Sequence, residues 1–187
     1  AGLIVDSDLH LSHLSMRVCI STLRVCSSSG PAAKEHALPL ALILSTSSLL
    51  QEPALESLLK LLEQMVVSGA VDFAELFQML KEKSSADSLG KHAVANLAKC
   101  IGVITAATTV ENREGVVSDL LASVEGAGSD ASDVRQVVLN LLVSGDLGRV
   151  VDYSTMDGVA ERIQAIYLGA FDSTSEEIKH AASYALG

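Results

Sequence analysis

Apolar residues recur at three- and four-residue intervals through most of this chain, the spacing that lines one face of an α-helix. Leu55, Leu58, Leu59, Leu62, Met65 and Val66 form one such stripe, and Phe73, Leu76, Phe77 and Leu80 form the next. Val94, Leu97, Ala98 and Ile101 follow, then Val116, Val117, Leu120, Leu121 and Val124. Val134, Val137, Val138, Leu141 and Leu142 make a further stripe, with Val159, Ile163, Ile166 and Tyr167 after it. Nowhere does an alternation of period two persist long enough to predict a strand. The pattern predicts an all-α protein.

Between the stripes lie residues that stop one helix and start another. Gly69 is placed to close a helix in the left-handed conformation, with Asp72 capping the next. Asp72 with Glu75, and Ser173 with Glu176, have the spacing of a capping box. Pro31 and Pro53 suit a first helical turn, whereas Pro39 is expected to kink or delay its helix. Ser84-Ser85, Gly126 to Ser129 and Ser144-Gly145 read as further connectors. The helices then fall into pairs at about 6–47, 51–83, 88–125 and 131–171, with a truncated fifth at 174–187. No connector is long enough to divide the chain, so a single domain over 1–187 is expected. The triplet Asp133-Val134-Arg135 opens one helix, and Glu177-Ile178-Lys179 opens another 44 residues later. That period fits HEAT-type antiparallel helix pairs stacked as an α-solenoid, about four pairs plus the partial fifth.

This arrangement carries two packing expectations. In the second pair, Leu58, Leu62, Phe73, Phe77 and Leu80 should interdigitate around a turn at Gly69, and full burial would make Phe77→Ala cost about 3–5 kcal/mol. In the last helix, Ile178, Ala181, Ala182, Ala185 and Leu186 should pack on the preceding pair through Ile163, Ile166 and Tyr167. The other side of that helix should be bare, inviting fraying or weak self-association.

Composition narrows the function. The chain has 187 residues, 49% hydrophobic and 19% charged, enough for a packed core. Thirteen Lys and Arg against 23 Asp and Glu give a net charge of −10, with 3% aromatics and no Trp. Neither a basic footprint nor a stacking platform is present, which excludes nucleic acid as a direct partner. Cys19, Cys26 and Cys100 are too few for a disulfide framework, and no N-glycosylation sequon occurs. The longest apolar run, Leu38 to Leu44, contains Pro39 and is far short of the ~18–20 residues of a membrane span, so no membrane partner is expected. The chain starts at Ala1 with no basic segment ahead of an apolar one, giving no signal peptide. It begins without Met and stops inside a helical pattern, so it reads as a piece of something longer in an intracellular protein.

Candidate chemistry is sparse. Gly126-Ala127-Gly128-Ser129-Asp130-Ala131 matches a dinucleotide-binding loop, but it lies between two helical stripes rather than after a strand. His10 and His13 share a helix face, yet Cys19 lies off it, and His36, His92 and His180 are scattered. No metal-ligand spacing results. Serines fall mostly at helix ends, and without a Gly-x-Ser-x-Gly elbow no catalytic set is anchored. Cys100, with Ala98 and Ile101 beside it, reads as a small buried hydrophobe rather than a nucleophile. The sequence thus names no catalytic, cofactor-binding or metal-binding residue, no cofactor, and no individual partner-contact residue. Four charged clusters remain, at Lys34-Glu35, Lys81-Glu82-Lys83, Glu111 to Glu114 and Glu161-Arg162, either solvated helix faces or partner-facing ones.

The closing segment SEEIKHAASYALG and the opening DLHLSHLSMRVCISTL resemble one HEAT-repeat family in particular. It is the cullin-associated, neddylation-dissociated family, also described as TATA-binding-protein-interacting. LESLLKLLEQMVVSGAVDFAELFQML and HAVANLAKCIGVITAAT resemble the segments between them, in the family's order. The resemblance covers most of the chain and a slice of the family's longer solenoid beyond its middle. It implies a non-enzymatic scaffold that binds an unmodified cullin with its RING subunit. Such a protein blocks attachment of the ubiquitin-like modifier and promotes exchange of substrate-receptor modules, in cytoplasm and nucleus. The alternatives are a HEAT adaptor of another assembly, such as nuclear transport or a phosphatase scaffold, and a helical enzyme domain.

Overall fold

The computed structural model describes residues 9–26, 29–47, 50, 52–84, 89–127 and 131–187. Helix covers 82% of them, and no strand occurs among the described residues. The order is α1 (Leu9–Val25), α2 (Gly30–Ala32), a π-helical turn (Ala33–Ala37), α3 (Leu38–Leu44), α4 (Ala54–Val67) and α5 (Phe73–Ser84). Then come α6 (Lys91–Ala107), α7 (Val110–Glu125), α8 (Ala131–Gly148), a 3-10 turn (Tyr153–Thr155), α9 (Val159–Phe171) and α10 (Glu176–Leu186). The fold is the all-α solenoid type that the stripes predict.

Local chemistry explains the joints. Gly69 adopts φ +69°, and the Val71 N–H closes back on the Met65 carbonyl at 3.2 Å. Asp72 caps α5 by accepting from the Glu75 N–H at 3.1 Å. Only half of that capping box forms, because the Glu75 carboxylate turns away to pair with Lys34. The π-helical turn ends two residues before Pro39. Widening the backbone there makes room for a ring that would otherwise press on the carbonyl four residues earlier.

Two compact units divide the chain, Ala1–Thr108 and Thr109–Gly187, at a boundary inside the expected pair 88–125. In the first unit α1, α4 and α6 pack side by side in that order, α3 packs on α4 and α5, and α5 on α6. Side-chain bonds join elements one repeat apart. Arg24 meets Gln64 at 3.0 Å, Lys34 meets Glu75, and Ser57 meets His13 at 2.6 Å. Buried Asn96 donates to the carbonyls of Ser47 (3.3 Å) and Leu50 (3.2 Å), tying down the chain after α3. In the second unit α8 packs on α7 and α10, and α9 packs on α7 and α10. This gives two layers, α8 with α10 and α7 with α9.

Three sequence expectations shift. Ser144-Gly145, read as a connector, lies inside α8, which runs to Gly148. Gly145 is there because a Cβ on it would sit 2.6 Å from the Cα of Ala185, so its bare backbone admits α10. The cap of α10 is Ser175, which accepts from the Ile178 N–H at 3.4 Å, rather than Ser173, which accepts from the Ser175 N–H. Phe77 is half-buried, because α5 points Phe73, Leu76 and Leu80 into the core and leaves Phe77 at the edge. There its ring centroid lies 5.8 Å from that of Phe73. Leu58, Leu62, Phe73 and Leu80 are buried as expected.

Leu76→Ala should therefore cost about 2–5 kcal/mol in urea unfolding, and Phe77→Ala clearly less, since a half-buried ring forfeits only part of its transfer term. Equal costs would show that α5 is rotated from this description. Gly145→Ala should raise helix propensity by up to ~1 kcal/mol yet destabilise on balance, because α10 must move off α8. Faster amide exchange confined to α10 and the end of α8 is the expected signature.

Candidate protein-interaction surface

The second unit holds a polar cluster at the end of α8 that the stripes did not reveal. Buried Ser144 shares a 2.8 Å hydrogen bond with the Tyr167 hydroxyl on α9, and the Tyr153 hydroxyl donates to the Ser144 carbonyl at 2.6 Å. On α10, the Tyr184 hydroxyl donates to Asp146 Oδ1 at 2.8 Å. Arg149 pairs with Asp146 at 2.7 Å, donates to the Tyr184 carbonyl at 3.1 Å, and lies 4.4 Å above the Tyr184 ring. Burial pushes the hydroxyls of Tyr153, Tyr167 and Tyr184 to raised pKa values, so they act as neutral hydrogen-bonding groups. The cluster fastens α9 and α10 to α8. Its only sequence signal was three tyrosines in a chain poor in aromatics.

The residues weighed for chemistry are dispersed. His13 meets Ser57, but Ser57 is only 5% exposed and the neighbouring Glu56 carboxylate is taken by Lys60 at 2.6 Å. The pair serves as a pin between α1 and α4. The side chain of His10 lies outside the described residues, as do Gly128, Ser129 and Asp130 of the glycine-rich stretch. That stretch joins α7 to α8, helix to helix. Among the described residues no group of three His, Cys, Asp or Glu side chains is placed to hold a metal ion. Cys100 is fully buried and its thiol is pushed up to about 12 by burial, which keeps it protonated and inert. No described helix is long and apolar enough to cross a membrane.

The charged clusters are better candidates. Lys34 is engaged by Glu75, whereas Lys81, Glu82 and Lys83 end α5 in solvent. Glu111 and Glu114 lie on the exposed side of α7, and Glu161 on that of α9. Arg162 reaches across from α9 to α7 and grips Glu125 with two bonds, Nη2 to Oε2 at 2.8 Å and Nε to Oε1 at 3.2 Å. No described buried side-chain nitrogen or oxygen lacks a hydrogen-bond partner.

No family model matches the chain. Among curated proteins it is 33% identical over 195 residues to "Cullin-associated NEDD8-dissociated protein 1" of Arabidopsis thaliana. Identity to the proteins of the same name is 29% over 194 residues in Dictyostelium discoideum and 28% over 204 residues in Drosophila melanogaster. The first two alignments cover 100% of this chain and the third 99%. The chain spans only 15–16% of the length of these relatives.

The Arg162 guanidinium holds the Glu125 carboxyl below its usual range, so the pair adds stability above the ordinary carboxylate pKa of ~4.3 and loses it as pH falls through the lowered value. Glu125→Gln should lower the melting temperature slightly at neutral pH and match wild type once acid has protonated the carboxylate. A gap that persists in acid would assign the loss to packing instead.

Proposed function

This chain belongs to the family of cullin-associated NEDD8-dissociated proteins, and we propose that it forms part of the partner-binding wall of a cullin regulator. The alignment with three relatives along essentially the whole chain is the observation that carries this reading. In the finer reading, the full-length protein binds an unmodified cullin with its RING subunit, blocks attachment of the modifier, and promotes exchange of substrate-receptor modules. It works in cytoplasm and nucleus as a scaffold without catalysis of its own. Stacked helix pairs suit that task, since they extend a surface by repetition without needing a pocket. Weak self-association through α10, where Leu186 is exposed, belongs to the same proposal.

The test is a pull-down of the full-length protein with unmodified and NEDD8-modified cullin–RING complex. Retention of the unmodified complex and loss of the modified one is expected. Equal recovery of both, or of neither, would overturn the reading. Sedimentation of the 187-residue chain over a range of concentrations checks the self-association, which a constant monomer mass would remove.

A further inference from the structure

The charge of this chain is unevenly placed. Residues 109–187 hold 13 Asp and Glu against five Lys and Arg, a net of −8 out of the −10 of the whole. Within that unit the α8–α10 layer neutralises much of its own acid, through Asp146 with Arg149 and Glu176 with Lys179. The α7–α9 layer keeps more of its charge, with Glu111, Glu114, Asp119, Glu125 and Glu161 against Arg113 and Arg162. α7 turns Val116, Val117, Leu120 and Leu121 inward, and α9 turns Ile163, Tyr167 and Ala170 inward. Both helices pack on the α8–α10 layer, so their opposite sides share one outer face. Glu111 and Asp119 stand exposed on that side of α7 with Glu114 exposed at its edge, and Glu161 and Asp172 stand exposed on α9. Arg162, which reaches over from α9, is occupied by Glu125.

Two large apolar side chains lie on the same side of α9. Leu168 is 58% exposed and Phe171 40% exposed, about two and three turns beyond Glu161 along the helix. Exposed apolar groups on a helix that also carries exposed carboxylates suit a docking face with an apolar centre and a polar rim. A carboxylate row repels nucleic acid, anionic lipid and the same face of a second copy. It attracts Lys and Arg.

We propose that the outer face of α7 and α9 docks a basic amphipathic helix of a protein partner. Leu168 and Phe171 receive its apolar side, and Glu111, Glu114 and Asp119 meet its cations. This deepens, and rests on, the reading of the chain as part of a partner-binding wall. The acid row governs the encounter and its salt dependence, and the apolar pair governs the lifetime of the complex.

The test uses the 187-residue chain and two synthetic amphipathic helices, one of Leu and Lys and one of Leu and Glu, with binding read by fluorescence anisotropy at low and high salt. The Leu/Lys helix should bind and the Leu/Glu helix should not. Glu111→Gln with Glu114→Gln and Asp119→Asn should weaken binding about tenfold and flatten its salt dependence. Leu168→Ala with Phe171→Ala should weaken it to a similar degree at every salt concentration. Removing three charges from the first unit instead, by Glu52→Gln, Glu63→Gln and Glu82→Gln, should leave affinity unchanged. Circular dichroism of each variant checks that it remains folded. Equal weakening by the two charge-removed triplets, or wild-type affinity in the apolar double variant, would overturn the proposal. The cullin pull-down is read separately: binding of the Leu/Lys helix without cullin retention keeps the surface and removes the partner, and the converse removes the surface alone.

Discussion

In the first unit α1, α4 and α6 lie side by side, and each covers the apolar stripe that its neighbour leaves open. No pair can do this for itself, since two antiparallel helices bury one face between them and still present another. Burial of a Leu or Ile side chain is worth about 1.5–3 kcal/mol, so a stripe left uncovered removes several such contributions at once. Stability is consequently a sum over neighbours, and the side-chain bonds follow the same rule. His13 with Ser57, Arg24 with Gln64, Lys34 with Glu75, Arg162 with Glu125 and Asp146 with Tyr184 each join segments 37–44 residues apart. These bonds are modest in energy and set the register in which the apolar faces meet.

That dependence explains what the sequence disclosed. A helix with one buried face writes a period of 3.6 into the chain, and α4, α5, α6, α7 and α9 were all readable from it. Helix α8 was read less well. It is packed by both α7 and α10, so Leu139 and Val143 are buried outside its expected stripe. Gly145 misled for a related reason, because a glycine that admits a neighbouring backbone looks in sequence like one that ends a helix. Phe77 was assigned to the core because a stripe carries an uncertainty of one position at its edge, and Leu76 fills the place instead. The polar fastening around Ser144, Asp146 and Arg149 had no periodic signal at all, since its members come from α8, the turn after it, α9 and α10.

Function was legible to a different degree. The acidity was plain in the composition, but its concentration on one layer of one unit required knowing which helices share an outer face. Two clusters that looked alike in sequence part company in space: Lys34 is consumed by Glu75, whereas Glu111 and Glu114 stay open to solvent. The described buried polar side chains are all hydrogen-bonded, and the proposed docking face is drawn instead from exposed groups, the carboxylates of α7 with Leu168 and Phe171 of α9.

The tyrosine cluster has an optical consequence. Tyr153, Tyr167 and Tyr184 are the three tyrosines of the chain, which has no tryptophan, and all three belong to residues 109–187. Near-ultraviolet absorbance and intrinsic emission therefore come almost entirely from one unit, while the far-ultraviolet helical signal comes from both. The chain carries its own spectroscopic label, confined to the end of α8 and the elements fastened there. A thermal or denaturant transition followed at the two wavelengths resolves the behaviour of that unit from the behaviour of the whole without any added dye.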